Sequence, residues 1–305
     1  MKLIFMGTPE FAAVSLRALA RLHRVEAAFC MPDRPAGRGG AVSPPAVKLA
    51  AAEFGIPVFQ PENAGLLEGE LKRFQPDAVC VVAYGLILPP SVLSLFPGRF
   101  INLHASLLPA YRGAAPINRA VMAGETKTGL TTMLISGELD AGDILLSCEI
   151  QIGDDDSAED LLPVMAERGS ELLLETLRAV EAGTVSPRPQ DHSAATLAPA
   201  LAKEDGRIDW TKPARDICNR IRGTAPWPGA FTSTGGGTLK IIRARFRRGE
   251  GEPGEILSCE KTLVIAAGRD AVEATEVQAE GKRRMPAGDF LRGARLKTGD
   301  IMGRS

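Results

Sequence analysis

Short apolar runs alternate with helix-like stretches from residue 2 to about residue 183, and this alternation restricts the chain to a few architectures. Leu3 to Met6, Val25 to Met31 and Ala78 to Ala83 are apolar almost throughout. A strand wetted on one face alternates apolar and polar residues, whereas a strand apolar along its length is covered on both faces, as in a parallel sheet under two helical layers. Thr8-Pro9-Glu10 supplies an N-cap, a first-position proline and a first-turn acid for a helix to about Leu22. Further helices are expected over about 46–54, 65–74 and 115–123. Ser157-Ala158-Glu159-Asp160 is a capping signal for a long helix to about Glu181, which Pro163 should kink or delay. Strand after helix at these lengths specifies an open, mainly parallel α/β sheet.

The pattern changes after Gly183. Residues 187–206 are turn-rich, with Pro187, Pro189 and Pro199, and read as a linker between a domain over 1–186 and another over 207–305. Beyond Arg207 a short helix, about 214–221, precedes five β-leaning runs separated by Gly or Pro, which suggests a small β-barrel.

Charge divides along the same boundary. The whole chain carries −1, but residues 207–305 hold 19 Lys and Arg against 12 Asp and Glu, a surplus of +7, leaving −8 for the remainder. Such asymmetry suggests that the C-terminal part meets an anion, most commonly nucleic acid, although a merely solvated basic surface gives the same count. Arg243, Arg245 and Arg247 alternate along one expected strand, beside Arg248, and are candidates for phosphate contact. The five cysteines are scattered and mostly embedded in apolar segments, the usage of reduced thiols. Three histidines make a His-rich metal site improbable, so no metal is expected. No apolar run approaches the ~20 residues of a membrane span and no secretion signal opens the chain, so a cytoplasmic location is expected.

Chemistry is expected at F-I-N-L-H-A-S-L-L-P-A-Y-R-G, residues 100–113. Asn102 and His104, two apart at the end of a short strand, share one face, and ligands of open parallel sheets collect outside the carboxyl ends of strands. A lone Asn-x-His is more often a satisfied polar pair. Asp140, in the glycine-flanked loop G-E-L-D-A-G-D, raises the functional reading, because a carboxylate commonly orients an imidazole that moves protons. Gly7 alone stands where a dinucleotide turn needs three glycines, which excludes NAD and FAD. The loop Pro32–Pro45 carries Arg34 and Arg38 on a Gly- and Pro-punctuated segment of about fourteen residues. Such a loop is either an anion-closing element or a surface insertion. Tyr84 to Leu88 form a further loop whose apolar residues suit a core or the flat ring of a ligand.

These blocks together resemble the formyltransferases that use 10-formyltetrahydrofolate. The resemblance rests on M-G-T-P-E-F, P-D-R-P-A-G-R-G, V-A-Y-G-L-I-L-P, I-N-L-H-A-S-L-L-P-A-Y-R-G-A-A-P-I, L-D-A-G-D, R-I-D-W and P-W-P-G-A, and covers nearly the whole chain. It implies a Rossmann-like N-terminal domain and an OB-like C-terminal β-barrel. Asn102, His104 and Asp140 then look like the catalytic triad, and Ser106, Leu107, Leu108 and Pro109 like the segment bordering tetrahydrofolate. The member it resembles most acts on initiator methionyl-tRNA, which becomes the implied partner, with Arg38 positioning its aminoacyl end. One departure is visible: Gly39 and Gly40 follow Arg38 where relatives often carry lysines, which shifts the burden to Arg34, Arg38 and the barrel.

Three competitors remain at this level. A formyltransferase acting on an amino-sugar nucleotide would share the catalytic block, but the 32–45 loop and the +7 region suit a tRNA better. A glycinamide ribonucleotide transformylase should end near residue 200. A non-catalytic RNA-binding protein would not need Asn102, His104 and Asp140 intact. The residues alone do not choose between His104 and Asp140 as the group that takes the proton.

Overall fold

In the computed structural model, which describes residues 1–36 and 41–303, the strands run as the apolar pattern requires. The first half comprises β1 (Lys2–Gly7), α1 (Glu10–Leu22), β2 (Arg24–Phe29), β3 (Arg34–Ala36), β4 (Ala41–Ser43), α2 (Ala46–Glu53), β5 (Val58–Phe59), α3 (Ala64–Leu71), β6 (Ala78–Val82), α4 (Pro90–Leu93), β7 (Phe100–His104), α5 (Pro116–Ala123), β8 (Lys127–Leu134), β9 (Ile144–Gln151) and α6 (Ala158–Glu181). Seven of these strands form one sheet in the order β5-β2-β1-β6-β7-β8-β9. The pairs from β5 to β7 are parallel, and β8 joins β7 antiparallel. The sheet is mainly parallel and Rossmann-like.

Burial explains the pattern. Every residue of β6 is buried, as is every residue of β1 after Lys2. Ile4, Met6, Phe29, Val79, Val81 and Phe100 pack with Leu67 and Leu71 of α3 and Val92 of α4 in one core. At ~25 cal/mol per Å² of apolar surface, each such side chain contributes about 1.5–3 kcal/mol, the main force holding the sheet under its helices. Leu103 points away from Asn102 and His104 and lies against Gly169 of α6, where an added Cβ would fall 2.8 Å from Leu103 Cδ2.

Several local expectations need correction. Thr8 does not cap α1; Pro9 occupies the cap position without a side-chain bond, and the helix begins at Glu10. The Thr8 hydroxyl instead donates to the Tyr84 carbonyl at 2.6 Å and accepts from the Met31 N–H at 3.2 Å, tying together the loops after β1, β2 and β6. The 32–45 loop has structure of its own: β3 and β4 pair antiparallel, Arg34 opposite Ser43 and Pro35 opposite Val42. The Ser157–Asp160 capping box forms, with the Asp160 carboxylate accepting from the Ser157 N–H at 3.0 Å and the Ser157 hydroxyl accepting from the Asp160 N–H at 3.2 Å. Pro163 does not delay α6, which starts at Ala158.

The second half contains α7 (Ala214–Gly223), β10 (Ala230–Thr234), β11 (Gly237–Arg247), β12 (Ile256–Ser258), β13 (Leu263–Ala266), β14 (Ala271–Ala279), β15 (Met285–Pro286) and α8 (Ala287–Leu291). Its sheet runs β10-β11-β14-β13-β12, with β15 also on β14, and every pair whose register is defined is antiparallel. This is a curled, OB-like half-barrel. Ile217 and Ile221 of α7 close one core with Leu239, Ile241, Ile265, Val272 and Val277. The chain divides into two compact units. One comprises Met1–Gly113, Thr128–Ile150 and Leu162–Leu197; the other comprises Ala114–Lys127, Gln151–Leu161 and the chain from Ala198 onward.

Candidate active site

Asn102 and His104 leave β7 at its carboxyl end on the face opposite Leu103. Asn102 is half-buried, and His104 is 6% exposed. Nε2 of His104 lies 2.9 Å from the carbonyl oxygen of Tyr111. A carbonyl can only accept, so Nε2 carries the hydrogen and Nδ1 is the nitrogen at which a proton can come and go. Nδ1 is 3.5 Å from Oδ2 of Asp140. That oxygen also accepts the Gly113 N–H at 2.8 Å. His104 and Asp140, 36 positions apart in sequence, therefore meet, with Asn102 on the same strand face.

The loops that bring them together are strained. Ala83, Tyr111 and Asp140 have φ of 46°, 59° and 50°, the left-handed region that side chains disfavour. Each such residue costs about 1–3 kcal/mol and persists only where its surroundings over-determine it. Those surroundings are visible. The Tyr111 N–H donates to Thr196 Oγ1 and the Arg112 N–H to the Thr196 carbonyl, both at 2.8 Å. At Gly142 a Cβ would fall 1.8 Å from the Leu134 carbonyl oxygen, so the turn carrying Asp140 closes only with glycine there.

The segment after His104 is held from beneath. Ser106 is fully buried and its hydroxyl donates to the Ala110 carbonyl at 2.6 Å. Thr131 Oγ1 donates to the Ser106 carbonyl at 2.7 Å and accepts from the Leu108 N–H at 3.2 Å. Ser106 thus shapes the loop, while Leu107 and Pro109 are half-buried and Leu108 is buried. Two large apolar side chains stand exposed: Ile87 after β6, and Leu139 beside Asp140.

Sequence reasoning missed a buried support. Arg112, 8% exposed, donates from Nε and Nη2 to Gln190 Oε1 at 3.1 and 2.6 Å. Gln190, 6% exposed, donates from Nε2 to the carbonyls of Asp140 and Gly142 at 2.9 and 2.7 Å. Nothing in the pattern around Gln190 signals this, because the contacts span 48 to 78 residues.

The basic candidates fare differently. Arg34 is exposed at the start of β3, and Arg38 lies outside the described residues. The preceding Asp33 is anchored by Lys48 Nζ at 2.8 Å and by Gln60 Nε2 at 2.8 Å. Arg243, Arg245 and Arg247 are exposed on β11 as expected, and each faces a carboxylate: Asp160 at 2.7 Å, Asp155 at 3.8 Å and Glu273 at 3.2 Å. Burial alone would push the Asp160 carboxyl up. The Arg243 guanidinium, with the Ser157 hydroxyl and N–H, outweighs it and brings the group down to about 2.

Comparison with known proteins decides the kinship. Residues 1–177 match the formyl transferase family and residues 200–295 match its C-terminal domain. The chain belongs to the formyl transferase family. A methionyl-tRNA formyltransferase of Citrifermentans bemidjiense is 45% identical over all of this chain and 97% of its own length. One from Koribacter versatilis is 47% identical over all of this chain and 99% of its own. Among solved members, an N-formyltransferase from Helicobacter canadensis in complex with folinic acid and dTDP-3-aminofucose superposes with a TM-score of 0.71. It is 18% identical and covers 90% of this chain and 98% of its own, a likeness of fold. The family match places Asn102, His104 and Asp140 in the first matched region and the β11 arginines in the second. A folate-derived formyl donor is consistent with the family.

Proposed function

We propose that this chain is a methionyl-tRNA formyltransferase, transferring the formyl group of 10-formyltetrahydrofolate to the α-amino group of initiator methionyl-tRNA in the cytoplasm. The observation that carries the reading is full-length kinship at 45% and 47% identity with proteins of that name. Residues 1–186 carry the chemistry in this reading, 207–305 contact the tRNA, and 187–206 join them.

The donor supplies a formyl carbon already activated on nitrogen. The rest falls to the chain's own groups. A free α-amino group titrates near ~7.7, so an appreciable fraction of the acceptor is nucleophilic near neutral pH, and no strong base is required. The larger demands are placement and charge stabilisation. The Asn102 amide donates to the formyl oxygen as negative charge develops there, a role in which losing one donor costs about 10²–10³ in rate. His104 takes the proton of the attacking amine at Nδ1, because Tyr111 occupies Nε2, and returns it to the donor nitrogen as that nitrogen's bond to the formyl carbon breaks. Asp140, 3.5 Å away, stabilises the resulting imidazolium. Leu107, Leu108 and Pro109 border the donor's ring, and Ser106 supports them. Arg34, Arg38, Arg243, Arg245 and Arg247 meet the tRNA.

The deciding experiment is incubation with 10-formyltetrahydrofolate and either methionyl-tRNA or amino-sugar nucleotides, with the product identified by mass. Formylmethionyl-tRNA is expected. A formylated sugar nucleotide, with methionyl-tRNA untouched, would replace this reading with the amino-sugar one.

A further inference from the structure

The segment expected to be a linker delivers a side chain into the support of the Asp140 loop, and Arg112 dictates how that side chain is turned. A guanidinium offers only donors. Gln190 must therefore present Oε1 to Arg112, which it does at 2.6 and 3.1 Å, and its –NH₂ group is left facing the opposite way. That group donates to the carbonyls of Asp140 at 2.9 Å and Gly142 at 2.7 Å, with the Met133 thioether as a third, weaker acceptor at 3.8 Å. All four contacts are satisfied only in this orientation.

The cost of the arrangement is informative. Among the described residues no carboxylate pairs with Arg112, although it is 8% exposed. A buried cation without a counter-ion is expensive, and a packed apolar side chain would stabilise a mere structural corner better. The same three residues also serve the proposed chemistry directly: the Tyr111 carbonyl holds His104, the Gly113 N–H holds the Asp140 carboxylate, and Arg112 between them holds Gln190. Gln190 lies in neither region matched to the family, since 178–199 fall between them.

We infer that Gln190, oriented by Arg112, is a positioning residue that sets the reach of Asp140 toward His104. The inference rests on Asp140 acting in the proposed transfer. It acts on turnover, not on substrate binding, because both Gln190 and Arg112 are buried.

Gln190→Glu is the discriminating change. Glutamate has the same shape and gives Arg112 a full counter-charge, which offsets part of the cost of the two carbonyls left without a donor. It also turns a carboxylate oxygen toward two carbonyls that need a donor, which loosens the Asp140 turn. Displacing a catalytic group by about 1 Å costs about 10²-fold. The expected result for Gln190→Glu is a kcat lowered about 10²-fold, with KM for both substrates within about threefold. Arg112→Lys, which keeps the charge and loses the planar fork, should show a smaller loss in the same parameter. In an Asp140→Asn background, Gln190→Glu should change residual turnover by less than about twofold, because its route of action is already removed. Wild-type kcat in Gln190→Glu would overturn the inference, as would an undiminished loss in the Asp140→Asn background. Ordinary turnover by Asp140→Asn alone would instead overturn the catalytic reading on which the inference stands, so the two failures are distinct.

Discussion

Nε2 of His104 donates to the Tyr111 carbonyl at 2.9 Å, and this one bond determines which ring nitrogen faces Asp140. Two substitutions separate its parts. Gln at position 104 extends an amide toward the place of Nε2 and can still donate to Tyr111, whereas Asn is too short. Neither amide can exchange a proton near neutral pH, so both variants should lose about 10²–10⁴ in single-turnover formyl transfer. Only His104→Asn should also lose about 0.5–1.5 kcal/mol in thermal melts, because it gives up the hydrogen bond to the Tyr111 carbonyl. Near-normal transfer by His104→Gln would remove Nδ1 from the mechanism.

Arginines already paired with carboxylates should contribute less to tRNA affinity than unpaired ones. Arg243 donates to Asp160 at 2.7 Å, while Arg248, also exposed, has no ion pair among the described residues. Each phosphate neutralised adds about 0.9 to the slope of log affinity against log salt. Filter binding at several salt concentrations should show Arg248→Ala losing most of one such increment and Arg243→Ala clearly less. Equal slopes for both variants and the wild type would mean that this strand end does not meet phosphate.

Acid should weaken the second unit through Asp160. Its carboxyl is held down to about 2, against about 3.9 for an unperturbed aspartate. A group depressed on folding stabilises the native state above its unfolded value, and that contribution disappears as pH falls through the folded value. The loss should therefore run from about pH 4 to about pH 2. Asp160→Asn should be less stable than wild type at pH 7 and should converge with it near pH 2 in denaturant titrations. A constant gap across that window would be evidence that the pairing with Arg243 contributes nothing.

Thiol labelling should report folding. Burial pushes Cys30 and Cys218 up to about 11 and Cys80 up to about 12. At pH 8 each is then thiolate to about one part in 10³ or less, and the thiolate is the reactive form. Iodoacetamide should spare these three in the native protein and modify them on unfolding, as read by mass spectrometry. Rapid native labelling of Cys80 would contradict its place inside β6.

Much of this was legible in the residues because the physics is local. Unbroken apolar runs such as Ala78–Val82 can be satisfied only between two covered faces, so the parallel sheet follows from them. The Ser157–Asp160 box is a contact across three positions and was readable for the same reason. Thr8 was misread since a cap and a loop tie demand the same side chain, and the choice depends on Tyr84, 76 positions away. The ribbon within residues 32–45 was likewise hidden, because its strands are only three residues each.

The site shows the same division. Asn102 and His104 share a strand face by the period of two alone, and Gly142 marks the turn that Asp140 needs. The amino-acid order thus determined the two kinds of sheet, the chemistry of the candidate groups and their family. Tertiary structure alone decided that His104 presents Nδ1 to Asp140, that the β11 arginines are already paired, and that Gln190 reaches back from beyond residue 186 to hold the Asp140 turn. Those outcomes depend on hydrogen bonds between residues brought together by packing, and packing distances are not a function of separation along the chain.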